Sequence, residues 1–397
     1  MQPNTWYPAT TVLAGFLRQQ GYTALQRDLS LEVLLALLSE SGLAEIESLA
    51  GVDLSRHRRM IGEVIEFLQH PRAGLAQRLV QPGVLPEGPR FRSLLDLPGG
   101  TAREFGRMGV LDLARHRASL FVDDLVDLVR NRVDPEFGFS RYAEKIAASQ
   151  SDFSAVLQSV RNSTLLKSWI DRRVQVLPPE RPLMVGITVP FPGNLVGALL
   201  TAQSVKARWP GVPVAIGGGY VNTELRELSE PRIFDFVDYV TLDSGEEPLK
   251  SILERLAGKA TPLERTFIRE HGRVVFSGQH SPPLRQKDMG APTTEGLPVP
   301  HYLSLLELLN PAHRLWSEGP WNKLVAAHGC YWKKCAFCDT SLDYIKRYDP
   351  NSPEVLVDRM EALIRENGIR GFHFVDEALP PALARKISEE LLRRNLS

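Results

Sequence analysis

The chain has 397 residues, 47 basic and 47 acidic side chains, and 43% apolar residues. This length exceeds what one hydrophobic core usually serves, so more than one folded unit is expected. The charge balance argues against nucleic acid or an anionic membrane as partner and leaves a small molecule or peptide as the expected substrate. No apolar run reaches the ~18 residues that span a bilayer, and Met1 to Pro8 has no signal-peptide core, so a cytoplasmic protein is predicted.

Apolar periodicity predicts helices over Thr10 to Gln20 and Leu29 to Leu38, with a short strand at Tyr22 to Gln26 between them. Residues 54 to 174 read as mostly helical, with apolar positions spaced by three and four in Met60 to Leu68 and Leu120 to Val129. The pattern then changes. LMVGITV (Leu183 to Val189) is a continuous apolar strand, followed by the loop PFPGN and a helix-period stretch from Leu195 to Arg208. VPVAI (Val212 to Ile216) is the next strand, ending in Gly217-Gly218-Gly219, and FVDYVTL (Phe236 to Leu242) the third, ending in Asp243-Ser244-Gly245-Glu246. Strand, helix, strand, helix, strand predicts an α/β fold with a doubly wound, Rossmann-like parallel sheet, and such sheets bind ligands at the C-terminal ends of their strands.

Thr266 to Ser277 predicts a hairpin turning at His271-Gly272, and Ser281 to Pro300, rich in Pro and Gly without periodicity, predicts an interdomain linker. Beyond it, Lys323 to Ala327 reads as a short strand running into HGCYWKKCAFCD. A helix from Pro353 to Glu366, a strand from Gly371 to Val375 and a helix from Pro381 to Arg394 follow, a βαβα order. The expected organisation is an α/β unit from 1–53 and 179–280, interrupted by a helical insertion at 54–178, then a linker at 281–320 and a second unit at 321–397.

The chain's three cysteines, Cys330, Cys335 and Cys338, all fall in that one loop. Three soft thiolates suit a metal or an iron–sulfur cluster, and a structural zinc site needs a fourth ligand to close its tetrahedron. Three thiolates on a [4Fe–4S] cube leave one iron open to a small molecule. A zinc knuckle completed by His328 or Asp339 is the alternative that ligand chemistry permits. A spread, even-numbered disulfide framework is not what this pattern describes.

The loop, with Phe337 before its last cysteine and a strand before its first, resembles the radical S-adenosylmethionine (SAM) enzymes. Its C-x4-C-x2-C spacing is one residue longer than the family's usual C-x3-C-x2-C. A wound sheet ahead of it, with PATTVLAGFLRQQGYTALQRDLSLE, GGGYVN, VDYVTLDSGEEPL and GFHFVDEALPP, is similar to the cobalamin-binding-domain branch of that family. The resemblance implies a [4Fe–4S] cluster on Cys330, Cys335 and Cys338, with SAM on the open iron, Phe337 near its adenine, and Asp376 and Glu377 receiving its amino group. It implies cobalamin over the sheet edge, among Thr188, Asn194, Gly217, Gly218, Gly219, Asp243, Gly245 and Glu246. The D-x-H-x-x-G motif that supplies histidine to cobalt is missing, so such a cobalamin would lack a protein histidine ligand. The implied activity is reductive cleavage of SAM with methyl transfer or rearrangement on a substrate, fed by an electron donor such as a flavodoxin or ferredoxin. Residues 321–397 hold only the first βα units of a (β/α) barrel and residues 1–8 begin in a loop, so the resemblance implies a chain shortened at both ends. A radical SAM enzyme without cobalamin, or a cluster- or zinc-bearing binding module, are the alternatives. Asp376 and Glu377 equally suit capping of the next helix, and strand packing suits His373.

Overall fold

A computed structural model describes residues 3–95, 109–139, 152–306, 321–336, 338–340, 342–376 and 378–396. The first part is helical: α1 (Pro8–Gln19), α2 (Leu29–Leu37), α3 (Glu40–Ala50), α4 (Ser55–Gln69), α5 (Ala73–Leu79), α6 (Val110–Arg132), α7 (Phe153–Asn162) and α8 (Thr164–Gln175). Local chemistry sets several of these ends. Asp28 caps α2 by accepting from the Leu31 amide, Ser39 caps α3 from Gly42, and Gly51 ends α3 in the left-handed conformation. In α4 the buried side chains Met60, Ile61, Val64, Phe67 and Leu68 form one helical stripe.

The expected strand at Tyr22 to Gln26 is absent. Its polar groups are taken elsewhere: the Ala24 carbonyl accepts from the Arg18 guanidinium, and Gln26 Nε2 donates to the carbonyls of Thr293 (2.7 Å) and Glu295 (2.9 Å). With the Tyr22 amide bonded back to the Leu17 carbonyl (3.0 Å) and the Ala24 carbonyl to Arg18, two of the segment's backbone groups are partnered outside any ladder.

The main sheet contains β1 (Val185–Thr188), β2 (Val214–Gly217), β3 (Tyr239–Thr241), β4 (Thr266–Glu270) and β5 (Arg273–Ser277), in that spatial order. β1, β2 and β3 are parallel, joined by α9 (Leu195–Arg208) and α10 (Gly219–Glu224), while β4 and β5 are antiparallel. The fold is therefore mixed α/β with a parallel sheet. The doubly wound expectation needs one correction: strand order runs straight through without reversal, and the edge is the predicted hairpin. His271 (φ 50°) and Gly272 (φ 77°) supply the two left-handed residues that a two-residue turn requires.

Helices cover both sheet faces. On one, Val214, Ile216 and Val240 share a continuous apolar cluster with Leu199 and Val205 of α9, and with Leu34, Phe67, Phe121 and Trp169 of the helical part. On the other, Ala215 packs with Leu249 and Ile252 of α11 (Glu246–Leu256) and with Leu13 and Leu17 of α1.

A second, smaller sheet pairs β6 (Asn322–Leu324) with β9 (Phe372–Phe374) in parallel, and β7 (Ala327–His328) pairs antiparallel with β8 (Asp349–Pro350). Between them lie α12 (Asp343–Lys346) and α13 (Pro353–Asn367), and α14 (Pro381–Arg393) follows β9. Leu324, Leu356, Val357, Met360, Leu363 and Ile387 form the core here. The single strand expected over Lys323 to Ala327 is broken at Val325-Ala326 and changes partner there.

Residues 281 to 300 carry no long element, yet they are tied down along their length. The Gln286 amide donates to Asp349 (2.8 Å), Arg359 donates to the Gln286 carbonyl (2.9 Å), and Thr293 Oγ1 donates to Glu366 of α13 (2.7 Å). This stretch is a strap between α1 and the second sheet.

Candidate functional site

Asp376 follows the C-terminal end of β9, and the cysteine loop lies on the same side of the sheet, beyond the end of its parallel partner β6 and after the short antiparallel β7, the end at which parallel β/α units place chemistry. Cys330, Cys335 and Cys338 are in no disulfide and are partly buried. The loop is fixed at its ends by backbone bonds from Cys330 to Ile345 (3.3 Å) and from Cys338 to Cys335 (3.3 Å), and Lys333 inside it is left-handed (φ 55°). Among the described residues, no three Cys, His, Asp or Glu side chains converge into a metal-binding group. The donor chemistry, three cysteines outside any disulfide on one partly exposed loop, is that of a cluster or soft-metal ligand set.

Asp376 has a structural task. Its Oδ2 accepts from the Ala326 amide (2.9 Å) and its Oδ1 from the Ala327 amide (2.7 Å), bridging the break between β6 and β7. The N-cap position of α14 is Pro380, which makes no side-chain cap bond. Phe337 and Glu377 lie outside the described residues.

Tyr348 stands close to Asp376, Tyr331 and Cys330, and burial first, then the Asp376 carboxylate, push its phenol pKa up. Tyr331 meets Tyr348 edge-on at 6.3 Å and Trp332 at 6.5 Å, and Lys334 lies 5.6 Å over the Trp332 ring. Beside them lies a shallow, open cleft of about 470 Å³ lined by Tyr331, Tyr348, Pro353, Pro380 and Leu383. The sequence reading missed Tyr348 and this cleft. Tyr331 and Trp332, next to Cys330, were the available signal.

At the main sheet, Thr188 ends β1, Asn194 precedes α9, Gly217, Gly218 and Gly219 join β2 to α10, and Asp243, Gly245 and Glu246 join β3 to α11. These loops meet at one edge, but the room the glycines open is used by the chain itself. Gly218 is left-handed (φ 107°) and a Cβ there would lie 2.9 Å from the Val189 carbonyl oxygen; one on Gly219 would meet Pro190 O at 2.9 Å and the Tyr7 hydroxyl at 3.2 Å. Tyr7 takes a hydrogen bond from the Gly219 amide and packs edge-on against Phe191 at 6.2 Å. A Cβ on Gly245 would meet Leu13 of α1 at 3.2 Å, and one on Gly217 the Thr241 hydroxyl at 2.6 Å.

The polar members are also committed. Asp243, itself left-handed (φ 60°), pairs with Arg226 (2.7 Å) and its amide donates to Asn222 Oδ1 (2.6 Å). Glu246 is buried at the start of α11, and desolvation raises its carboxyl pKa. Its neighbour Glu247 pairs with buried Arg265. Asn194 Oδ1 is buried without a hydrogen-bond partner among the described residues. The glycines at this edge are therefore required by the close packing of the chain on itself, whatever lies above it.

No protein-family model matches the chain. Over 200 residues, 49% of its length, it is 28% identical to an uncharacterised methyltransferase of Pyrococcus horikoshii, of which it spans 40%. Among solved structures, the radical S-adenosylmethionine methyltransferase TsrM from Kitasatospora setae, with cobalamin and a [4Fe–4S] cluster bound, aligns with 60% of this chain and 44% of its own at 16% identity and a TM-score of 0.40. The chain thus spans less than half the length of either protein. The TsrM match is too loose to transfer the role of any residue.

Proposed function

We propose that the chain is the cluster-bearing part of a radical SAM methyltransferase, with Cys330, Cys335 and Cys338 as ligands of a [4Fe–4S] cluster. The observation that carries this reading is the confinement of all the chain's cysteines, none in a disulfide and all partly buried, to the one loop that follows β7, a few residues past the parallel strand β6. The curated methyltransferase relative supports the reaction class. Bound there, a cluster would supply the electron that cleaves SAM. The chain's own part is to hold the loop: Asp376 fixes the strand break that launches it, and Tyr331 and Tyr348 wall the cleft beside it.

Anaerobic reconstitution with iron and sulfide tests this directly. The expected product holds one [4Fe–4S] cluster by iron and sulfide analysis and by electron paramagnetic resonance after reduction, and Cys335→Ala loses it. Stoichiometric zinc in anaerobically purified protein, with no iron uptake, would replace this reading with the zinc knuckle.

A further inference from the structure

The face of β6 and β9 turned away from α13 and α14 carries a lysine that the cysteine site does not use. Leu324, Phe372 and Phe374 pack on the helix side. Successive strand residues alternate, so Lys323 and His373, paired across the parallel ladder, project together from the opposite face. Lys323 is only 9% exposed, and neither a hydrogen bond nor an ion pair joins its ammonium to any described residue. Desolvation alone moves its pKa, down to about 8, with no carboxylate raising it. His373 adds a second nitrogen, its protonation held down by burial and then by Lys323.

A cation so far removed from water is ordinarily paired, and an apolar side chain of the same length would fill the space without the penalty. The face is still reachable. Trp321, Val325 and His373 are half-buried, and Val375, one step past β9 on the same side, is 37% exposed. Asp376, the adjoining carboxylate, is spent on the Ala326 and Ala327 amides.

We propose that Lys323 and His373 form a receptor for an anionic oxygen group, a carboxylate or a phosphate carried by a small-molecule ligand. The anion completes the pairing that the fold leaves open, and the two nitrogens from adjacent strands grip it from two sides. The inference stands whatever the cysteines hold.

The test uses the full chain at neutral pH with inorganic phosphate and, separately, acetate, against chloride at matched ionic strength. One or both anions should slow acetic-anhydride labelling of Lys323, read by peptide mass spectrometry, and raise the melting temperature saturably. Protection by phosphate alone assigns a phosphate ligand, and protection by acetate alone a carboxylate. Lys323→Met, which keeps the volume and removes the charge, should weaken binding about tenfold or more, and His373→Gln should weaken it less. Labelling of wild-type Lys323 that neither anion slows, or undiminished binding by a folded Lys323→Met chain, overturns the proposal. If that variant does not fold, the wild-type labelling decides alone.

Discussion

Asp376 and Lys323 sit on neighbouring strands and show how differently two charges can be accommodated. The Asp376 carboxylate accepts from two buried backbone amides, and removing it leaves both without a partner. Asp376→Ala should lower unfolding stability by about 2–4 kcal/mol, whereas Asp376→Asn, which keeps one acceptor, should cost less. Urea midpoints of the two variants check this, and an unchanged midpoint for Asp376→Ala would remove the bridging role. Lys323 is the opposite case. Burial lowers its pKa from 10.5 to about 8. Below pH 8 it is charged in both folded and unfolded chains, and the desolvation cost is present in full. Between about 8 and 10.5 the unfolded chain keeps the proton that the folded chain has released, so stability rises with pH across that window. Lys323→Met should therefore be more stable than wild type by roughly 3 kcal/mol near pH 7, with the gap shrinking by more than half at pH 10. Denaturant titrations at the two pH values measure it, and a pH-independent gap would contradict the assigned ionisation.

Among the elements, α13 shows local and tertiary forces in competition. Ser352 caps it by accepting from the Val355 amide (3.3 Å), Pro353 opens it, and Gly368 closes it at φ 74°. Glu366 then sits in the last turn, where the helix dipole disfavours a negative charge. The strap explains its place: Glu366 accepts from the Thr294 amide and hydroxyl (both 2.5 Å) and from the Thr293 hydroxyl (2.7 Å). Glu366→Ala should destabilise the chain by about 2 kcal/mol after the relief of the dipole conflict, and should speed limited proteolysis between residues 281 and 300. Unaltered cleavage there would mean that the strap is held by its other contacts.

For the molecule as a whole, one apolar cluster joins the helical part to the main sheet, with Trp169 of α8 and Trp209 after α9 both buried in it. The helical part and the sheet should consequently unfold together. Fluorescence of single-tryptophan versions retaining Trp169 or Trp209 and the far-ultraviolet dichroism change should give one urea midpoint. Two separated midpoints would show that the shared cluster does not couple them.

What the sequence determined by itself was whatever depends on neighbours along the chain. Apolar runs marked β1, β2 and β3, periodicity marked the helices, His271-Gly272 marked the hairpin, and three cysteines in one short loop marked the candidate cluster site. Tertiary structure decided what depends on distant partners. Tyr22 to Gln26 has strand composition, but Gln26 is claimed by Thr293 and Glu295 far along the chain. The glycine triplet suggests close backbone approach, and only the fold shows that Tyr7 and Pro190 are among the groups packed against it. The amide partners of Asp376, 49 and 50 positions away, could not be read from its own neighbours in the chain. Lys323 reads as an ordinary strand residue until its burial is known. Propensity and ligand type are local properties, whereas burial and hydrogen-bond partnership exist only once remote segments meet.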